Sequence, residues 1–177
     1  MTTRLDARLA SYHSPVLSIF RIIFGLLYTL HGSMKLFGWP LGASLPVGTW
    51  PGWWAGLIEF VAGLLITVGL FTRIAAFIAS GEMAFAYFYQ HWPPLGGGPS
   101  ATFWPFLPQL GGNGGELAIM FCFAFLLLAT SGAGAWSIDA RRRGRMAATG
   151  GVVTGRAAPP AQRPGLLSRF GRGRRRY

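Results

Sequence analysis

A chain of 177 residues that is 51% hydrophobic and 15% aromatic but only 12% charged is too apolar for an ordinary soluble domain. Its formal net charge of +11 does not point to nucleic acid, because residues 1 to 140 hold five basic groups (Arg4, Arg8, Arg21, Lys35, Arg73) against five acids (Asp6, Glu59, Glu82, Glu116, Asp139). The other eleven arginines all lie between Arg141 and Arg176, where few aromatics interleave them.

Residues 1 to 15 read as a short cytoplasmic lead-in carrying Arg4 and Arg8. Four apolar stretches follow, at about residues 16 to 37, 53 to 71, 74 to 91 and 116 to 131. Since roughly twenty residues at 1.5 Å rise cross a hydrocarbon core of about 30 Å, each reads as a spanning helix. The first is too long for a cleaved signal peptide and is not followed by a small-residue cleavage site, so it reads as an uncleaved anchor. The predicted fold is all-α: a transmembrane four-helix bundle over residues 16 to 139.

Arg4, Arg8, Arg73 and the C-terminal arginines mark the cytoplasmic side, which places both termini inside. The connections at 39–52 and 92–115 contain no Lys or Arg and are rich in Gly, Pro and Trp, so they face out. Trp39, Trp50, Trp53, Trp54, Trp92 and Trp104 form the expected outer aromatic belt, and the segment around Phe103, Trp104, Phe106 and Leu107 is expected to lie along the membrane surface. Residues 140 to 177, rich in Arg, Gly and Pro without periodicity, read as a disordered cytoplasmic tail pressed onto anionic lipid.

Function must lie with the carboxylates inside this apolar frame, because an isolated ionised group in a bilayer costs several kcal/mol unless paired or wetted. Glu59, Glu82 and Glu116 are the candidates. Counting residues from the cytoplasmic edge puts Arg21 roughly 7 Å deep and Glu82 roughly 12 Å deep, and predicts a buried ion pair between them. The same count sets His31 level with Glu59, and Lys35 level with His91 and Glu116. At 100° per residue Arg21, Phe24, Tyr28, His31 and Lys35 share one stripe of the first helix, while Gly52, Gly56, Glu59 and Gly63 line a stripe of the second. The expectation is a polar cavity in the outer half lined by His31, Lys35, Glu59 and Glu116, with Tyr28 and His91 beside it and with space left by Gly56 and Gly63. His91 falls on the wrong face if its helix stays regular. Cys122, the single cysteine, reads as packing.

These residues resemble a known family. The run Arg21, Gly25, His31, Gly32, Lys35, Leu36, Phe37, Gly38 is similar to the opening signature of the DoxX family of small bacterial membrane proteins. A second block follows with Glu59, Gly63, Leu64, Leu65, Gly69, Leu70, Phe71, Thr72 and Arg73, then Glu82, Met83, Ala84, Tyr87, Phe88 and His91. Asn113 to Ala118 and then Gly132, Ala133, Gly134, Trp136, Ser137 and Asp139 complete it. The resemblance implies a four-helix bundle of the bacterial inner membrane with cytoplasmic termini. It also implies a membrane subunit of a quinone-linked thiosulfate or thiol redox assembly, or of an oxidative-stress assembly, working with a soluble redox partner protein. The resemblance transfers no catalytic set.

The residues themselves narrow that reading. There is no cysteine pair for thiol exchange, no dinucleotide loop and no His pair at i, i+4 spacing, so metal, haem and nucleotide sites are not expected. Quinone, held non-covalently by an apolar cleft with a few hydrogen-bond donors, is the expected cofactor. A non-enzymatic scaffold for redox partners and a small proton-coupled transporter are the alternatives, and an oligomer is compatible with each.

Overall fold

A computed structural model describes residues 2–92 and 114–153. The expected outer belt around Phe103, Trp104, Phe106 and Leu107 and the tail beyond residue 153 lie outside the described residues. Among those described there are helices and no strands: α1 (Thr2–Phe37), α2 (Gly52–Val68), α3 (Thr72–Ala86) continuing into a π-helical turn (Tyr87–His91), α4 (Glu116–Ser131) and α5 (Ile138–Val153). Helix α1 packs along α2, α3 packs along α4, and α2 joins the two pairs through its contacts with α3. Only α1 is both long and apolar enough to cross a bilayer by itself; α2 and α4 are apolar but have 17 and 16 residues.

Two boundaries differ from expectation. The lead-in is not separate, because α1 runs unbroken from Thr2 through Pro15 to Phe37. Nor is the start of the tail disordered, since α5 occupies residues 138 to 153. Its Arg and Ala residues are good helix formers, and Ser137 caps it by accepting the Ala140 N–H at 3.0 Å. A search for hydrophobic periodicity passes over such a helix because it has no apolar face.

Close approach of backbones defines the α1–α2 pair. A Cβ added at Gly32 would stand 2.3 Å from the Phe60 nitrogen, one at Gly63 2.6 Å from the Thr29 nitrogen, and one at Gly25 2.8 Å from the Thr67 nitrogen. No side chain fits between these helices at those levels. Against this pair the aromatic rings of α1 and α4 interlock, with Tyr28 4.7 Å from Phe125 and Phe24 5.6 Å from Phe121 between centroids. Ala75, Ala76 and Ala79 of α3 complete the core and keep α3 close to its neighbours.

The end of the bundle where α2 turns into α3 is closed by hydrogen bonds. Gly69, at φ 74°, and Leu70 return their N–H groups to Ile66 and Leu65, which terminates α2. Phe71 is also left-handed, at φ 49°, a conformation that costs a non-glycine residue roughly 1–2 kcal/mol. The Asp139 carboxylate holds it there by accepting the Phe71 N–H at 3.0 Å and the Thr72 N–H at 2.9 Å, so the first turn of α5 caps α3. Burial opposes ionisation of Asp139, but these bonds together with nearby Arg143 hold its carboxyl below the usual carboxylate range.

Arg21 does not pair with Glu82. Its guanidinium, 1% exposed, donates to four backbone carbonyls: Ala133 at 2.8 Å, Trp136 at 2.7 Å, and Ile66 and Thr67. Ile66, which also accepts the Gly69 N–H, and Thr67 present carbonyls of the last turn of α2, where a cation is favoured by the helix dipole. The depth count misplaces the pair because α3 begins at Thr72, and Glu82 lies ten residues further along it, level with Tyr28 rather than Arg21. Arg73 does for α4 what Arg21 does for α2, donating to Ala129 at 2.9 Å and Thr130 at 2.6 Å.

Gly32 and Gly81 separate packing from helix propensity. Gly32→Ala should destabilise the protein by roughly 1–3 kcal/mol, since its methyl would meet the backbone of α2. Gly81→Ala, where a Cβ meets nothing within 4 Å, should instead raise stability by roughly 0.5–1 kcal/mol. Thermal melting of the two variants in mild detergent checks both signs, and equal midpoints would contradict the close approach.

Candidate functional site

At the opposite end from the Arg21 cluster lies a cavity of about 230 Å³. Helix α1 contributes Tyr28, His31 and Lys35, α2 contributes Glu59, the end of α3 contributes Met83, Ala86, Gln90 and His91, and α4 contributes Leu117, Ala118 and Phe121. The spacing of Tyr28, His31 and Lys35, three and four residues apart, sets all three on one face of α1.

Lys35 Nζ lies 2.6 Å from Glu59 Oε1, an ion pair between α1 and α2. The pair is lopsided: the Lys35 side chain is 34% exposed and that of Glu59 only 2%. The other carboxylate oxygen, Oε2, is buried with no hydrogen-bond partner among the described residues. Behind the cavity wall the Tyr28 hydroxyl donates to Glu82 Oε2 at 2.7 Å, while Glu82 Oε1 is likewise buried without a partner.

His31 stands edge-on to Phe121, with ring centroids 5.9 Å apart, and both rings form the cavity wall. His91 reaches the same cavity although a regular α3 would turn it away. The π-helical turn at Tyr87–His91 adds a residue to the last turn and rotates His91 inward, its ring 6.4 Å from that of Tyr87. Gly115 permits this, because any Cβ there would collide with the Tyr87 ring at 2.6 Å.

The structure thus brings Tyr28, His31, Lys35, Glu59 and His91 to one cavity and leaves Glu116 out. Glu116 is the exposed first residue of α4, and the faces turned inward are those of Leu117, Ala118 and Phe121. Matching depth without matching phase is the reason for that misassignment. Nor do the glycines supply the space: Gly56 lies under the Lys35 Cβ and Gly63 against Thr29, so both serve the helix contact, and the opening is on the α3–α4 side. Met83, Gln90 and Phe121 are walls that carried no signal in the sequence. Cys122 is half-buried beside Ser80, whose hydroxyl donates to the Cys122 carbonyl at 2.9 Å.

Chemically, this is a small concave site with aromatic and aliphatic walls, donors on Lys35 and Gln90, two imidazoles and the Glu59 carboxylate. Such a site suits a flat ring with polar edges and can exchange protons with it.

Among the described residues the chain is all helical, Arg21 and Glu59 are buried and many large apolar side chains are exposed, which is the character of a membrane protein. The comparisons agree. The family model described as DoxX matches residues 16–92. An uncharacterized protein of Haemophilus influenzae is 40% identical over 134 residues, which make up 74% of this chain and 93% of that protein. No solved structure matches the chain. The chain belongs to the DoxX family, whose members are membrane-associated.

The ion pair is tested by a mutant cycle. Lys35→Met leaves the Glu59 charge buried and uncompensated, and should cost about 3 kcal/mol, the low end for a broken buried pair because Lys35 is partly exposed. Lys35→Met with Glu59→Gln should recover a large part of that loss. Melting midpoints in detergent report it, and a double variant no more stable than the lysine single would contradict the coupling.

Proposed function

We propose that this chain spans a bacterial inner membrane as a four-helix bundle, α1 to α4, with both termini in the cytoplasm, and that the cavity binds the ring of a quinone. Exposed apolar side chains on every one of those helices support the span: Ile23 and Leu27 on α1, Val61 and Leu64 on α2, Phe77 and Ile78 on α3, Phe123 and Leu127 on α4. The polar residues Ser18, Arg21, Thr29, Glu59 and Ser80 are buried instead. That inversion suits lipid as solvent and would be an aggregation hazard in water. Helices of 15 to 17 residues reach about 23 to 26 Å, short of a full hydrocarbon core, and the π-helical turn lengthens α3 toward it. The arginines Arg4, Arg8, Arg73 and Arg141 to Arg143 support the orientation.

The observation that carries the quinone reading is a cavity that presents Lys35, His31 and Glu59 together, with the Glu59 Oε2 buried and without a hydrogen-bond partner among the described residues. A quinone bound there supplies a two-electron, two-proton acceptor. About 230 Å³ accommodates a ring but not an isoprenoid tail, which would leave through the cavity mouth into lipid. Lys35 donates hydrogen bonds at the site and compensates charge on Glu59. Glu59 Oε2 accepts or returns a proton at the ring edge, and the Tyr28 hydroxyl with Glu82 holds a second exchangeable proton behind it. The electrons come from a soluble partner that joins two thiol or thiosulfate sulfurs into an S–S bond, which releases two.

Extraction of the protein purified in mild detergent should yield close to one quinone per chain. Glu59→Gln should keep the fold and lower partner-dependent quinone reduction by at least a hundredfold, the usual contribution of a positioned acid–base group. Ala118→Trp, which fills the cavity, should remove the bound quinone. Partner capture with no quinone in the wild-type extract would favour a scaffold, and proton-coupled flux into proteoliposomes a transporter; either result overturns the redox reading.

A further inference from the structure

On the far side of α2 from the cavity, α2 and α3 enclose a groove of about 550 Å³ lined wholly by apolar side chains, among them Leu57, Val61, Leu65, Ile74 and Ile78. Along α2 it runs from Leu57 to Leu65, about 12 Å and so most of one leaflet's hydrocarbon depth. It ends at Phe71. There the chemistry changes within one residue, because the Arg142 guanidinium of α5 lies 5.5 Å above the Phe71 ring. Stacking on a ring face uses the plane of a guanidinium and leaves its N–H edges to bind a second partner.

Arg142 is not alone at that rim. Arg141 and Arg143 are exposed on either side of it in α5, and the nearest acid, Asp139, is already engaged by the Phe71 and Thr72 N–H groups. An apolar groove thus leads directly to three exposed arginines faced by one acid, Asp139, whose carboxylate already accepts two backbone N–H groups.

We propose that the groove and the arginines above it form a binding site for one anionic phospholipid, an acyl chain lying between α2 and α3 and the phosphate held at Arg142. The proposal rests on the bilayer reading but not on the quinone reading. Charge decides the occupant. A zwitterionic lipid brings its own cation to a rim that is already positive, and a second copy of the chain docked by a two-fold contact brings a second basic helix. A phosphate with a net negative charge is the complement, and Arg binds it through paired N–H donors. Bound there, the lipid would tie α5 to the α2–α3 turn and so reinforce the cap that Asp139 places on α3.

The test is native mass spectrometry of the full chain in dodecyl maltoside, offered equal amounts of dioleoyl phosphatidylglycerol and dioleoyl phosphatidylcholine. One phosphatidylglycerol should be retained with roughly tenfold preference. Arg142→Ala should reduce that preference about fivefold, the usual weight of one basic residue at an anionic surface, and Arg142→Lys should keep most of it. Ile78→Trp, at an exposed position of the groove, should lower retention of both lipids, and millimolar inorganic phosphate should displace neither. Equal retention of the two lipids by detergent-extracted protein, an unchanged preference in Arg142→Ala, or loss of a dimer without loss of lipid in Ile78→Trp would each overturn the site alone. Recovery of the chain from the soluble fraction without detergent would overturn the bilayer reading along with it.

Discussion

The distance between α1 and α2 governs the rest of the molecule. Gly25, Gly32, Gly56 and Gly63 have no room for a side chain of their own at the crossing, so the two helices meet closely along about two turns. In lipid, where burying apolar surface gives helices little reason to associate, such close packing is the main attraction available. It also sets the chemistry. The Cβ of Lys35 rests over Gly56, three residues before Glu59, and only at that separation does the lysine lie alongside the glutamate to pair at 2.6 Å.

The two ends of the bundle treat their polar groups in opposite ways. At one end three charges are spent on the backbone: Arg21 on the end of α2, Arg73 on the end of α4 and Asp139 on the start of α3. These side chains do the work of helix caps, and they lock the turns together. At the other end Glu59 and Glu82 each keep one oxygen buried and unpartnered beside a cavity. A buried acceptor without a partner costs roughly 1–3 kcal/mol. Buried acceptors left open beside a cavity give that end its capacity for proton exchange.

Much of this was legible in the sequence. The glycine stripe beside Glu59, the common face of Tyr28, His31 and Lys35, and the limits of α4 all follow from periodicity and polarity. The Lys35–Glu59 contact did not, because counting depth placed Lys35 one layer beyond Glu59 and paid no heed to the reach of a lysine side chain. Arg21 was assigned to Glu82 because a charge suggests a counter-charge, whereas helix-end carbonyls, invisible in a list of side chains, proved the better acceptors. His91 was recoverable only with the π-helical turn, a backbone irregularity that no residue pattern announces. Glu116 fails on phase: it is the exposed first residue of α4, directly after left-handed Gly115, and lies off the cavity.

The claim that the Lys35–Glu59 cavity holds a quinone ring is tested most directly by photolabelling. An azido-quinone irradiated with the purified protein should attach to peptides containing Tyr28 to Lys35 and Leu117 to Phe121, and excess unlabelled quinone should suppress both adducts. Adducts spread over the lipid-facing side chains of all four helices, unaffected by competitor, would contradict it.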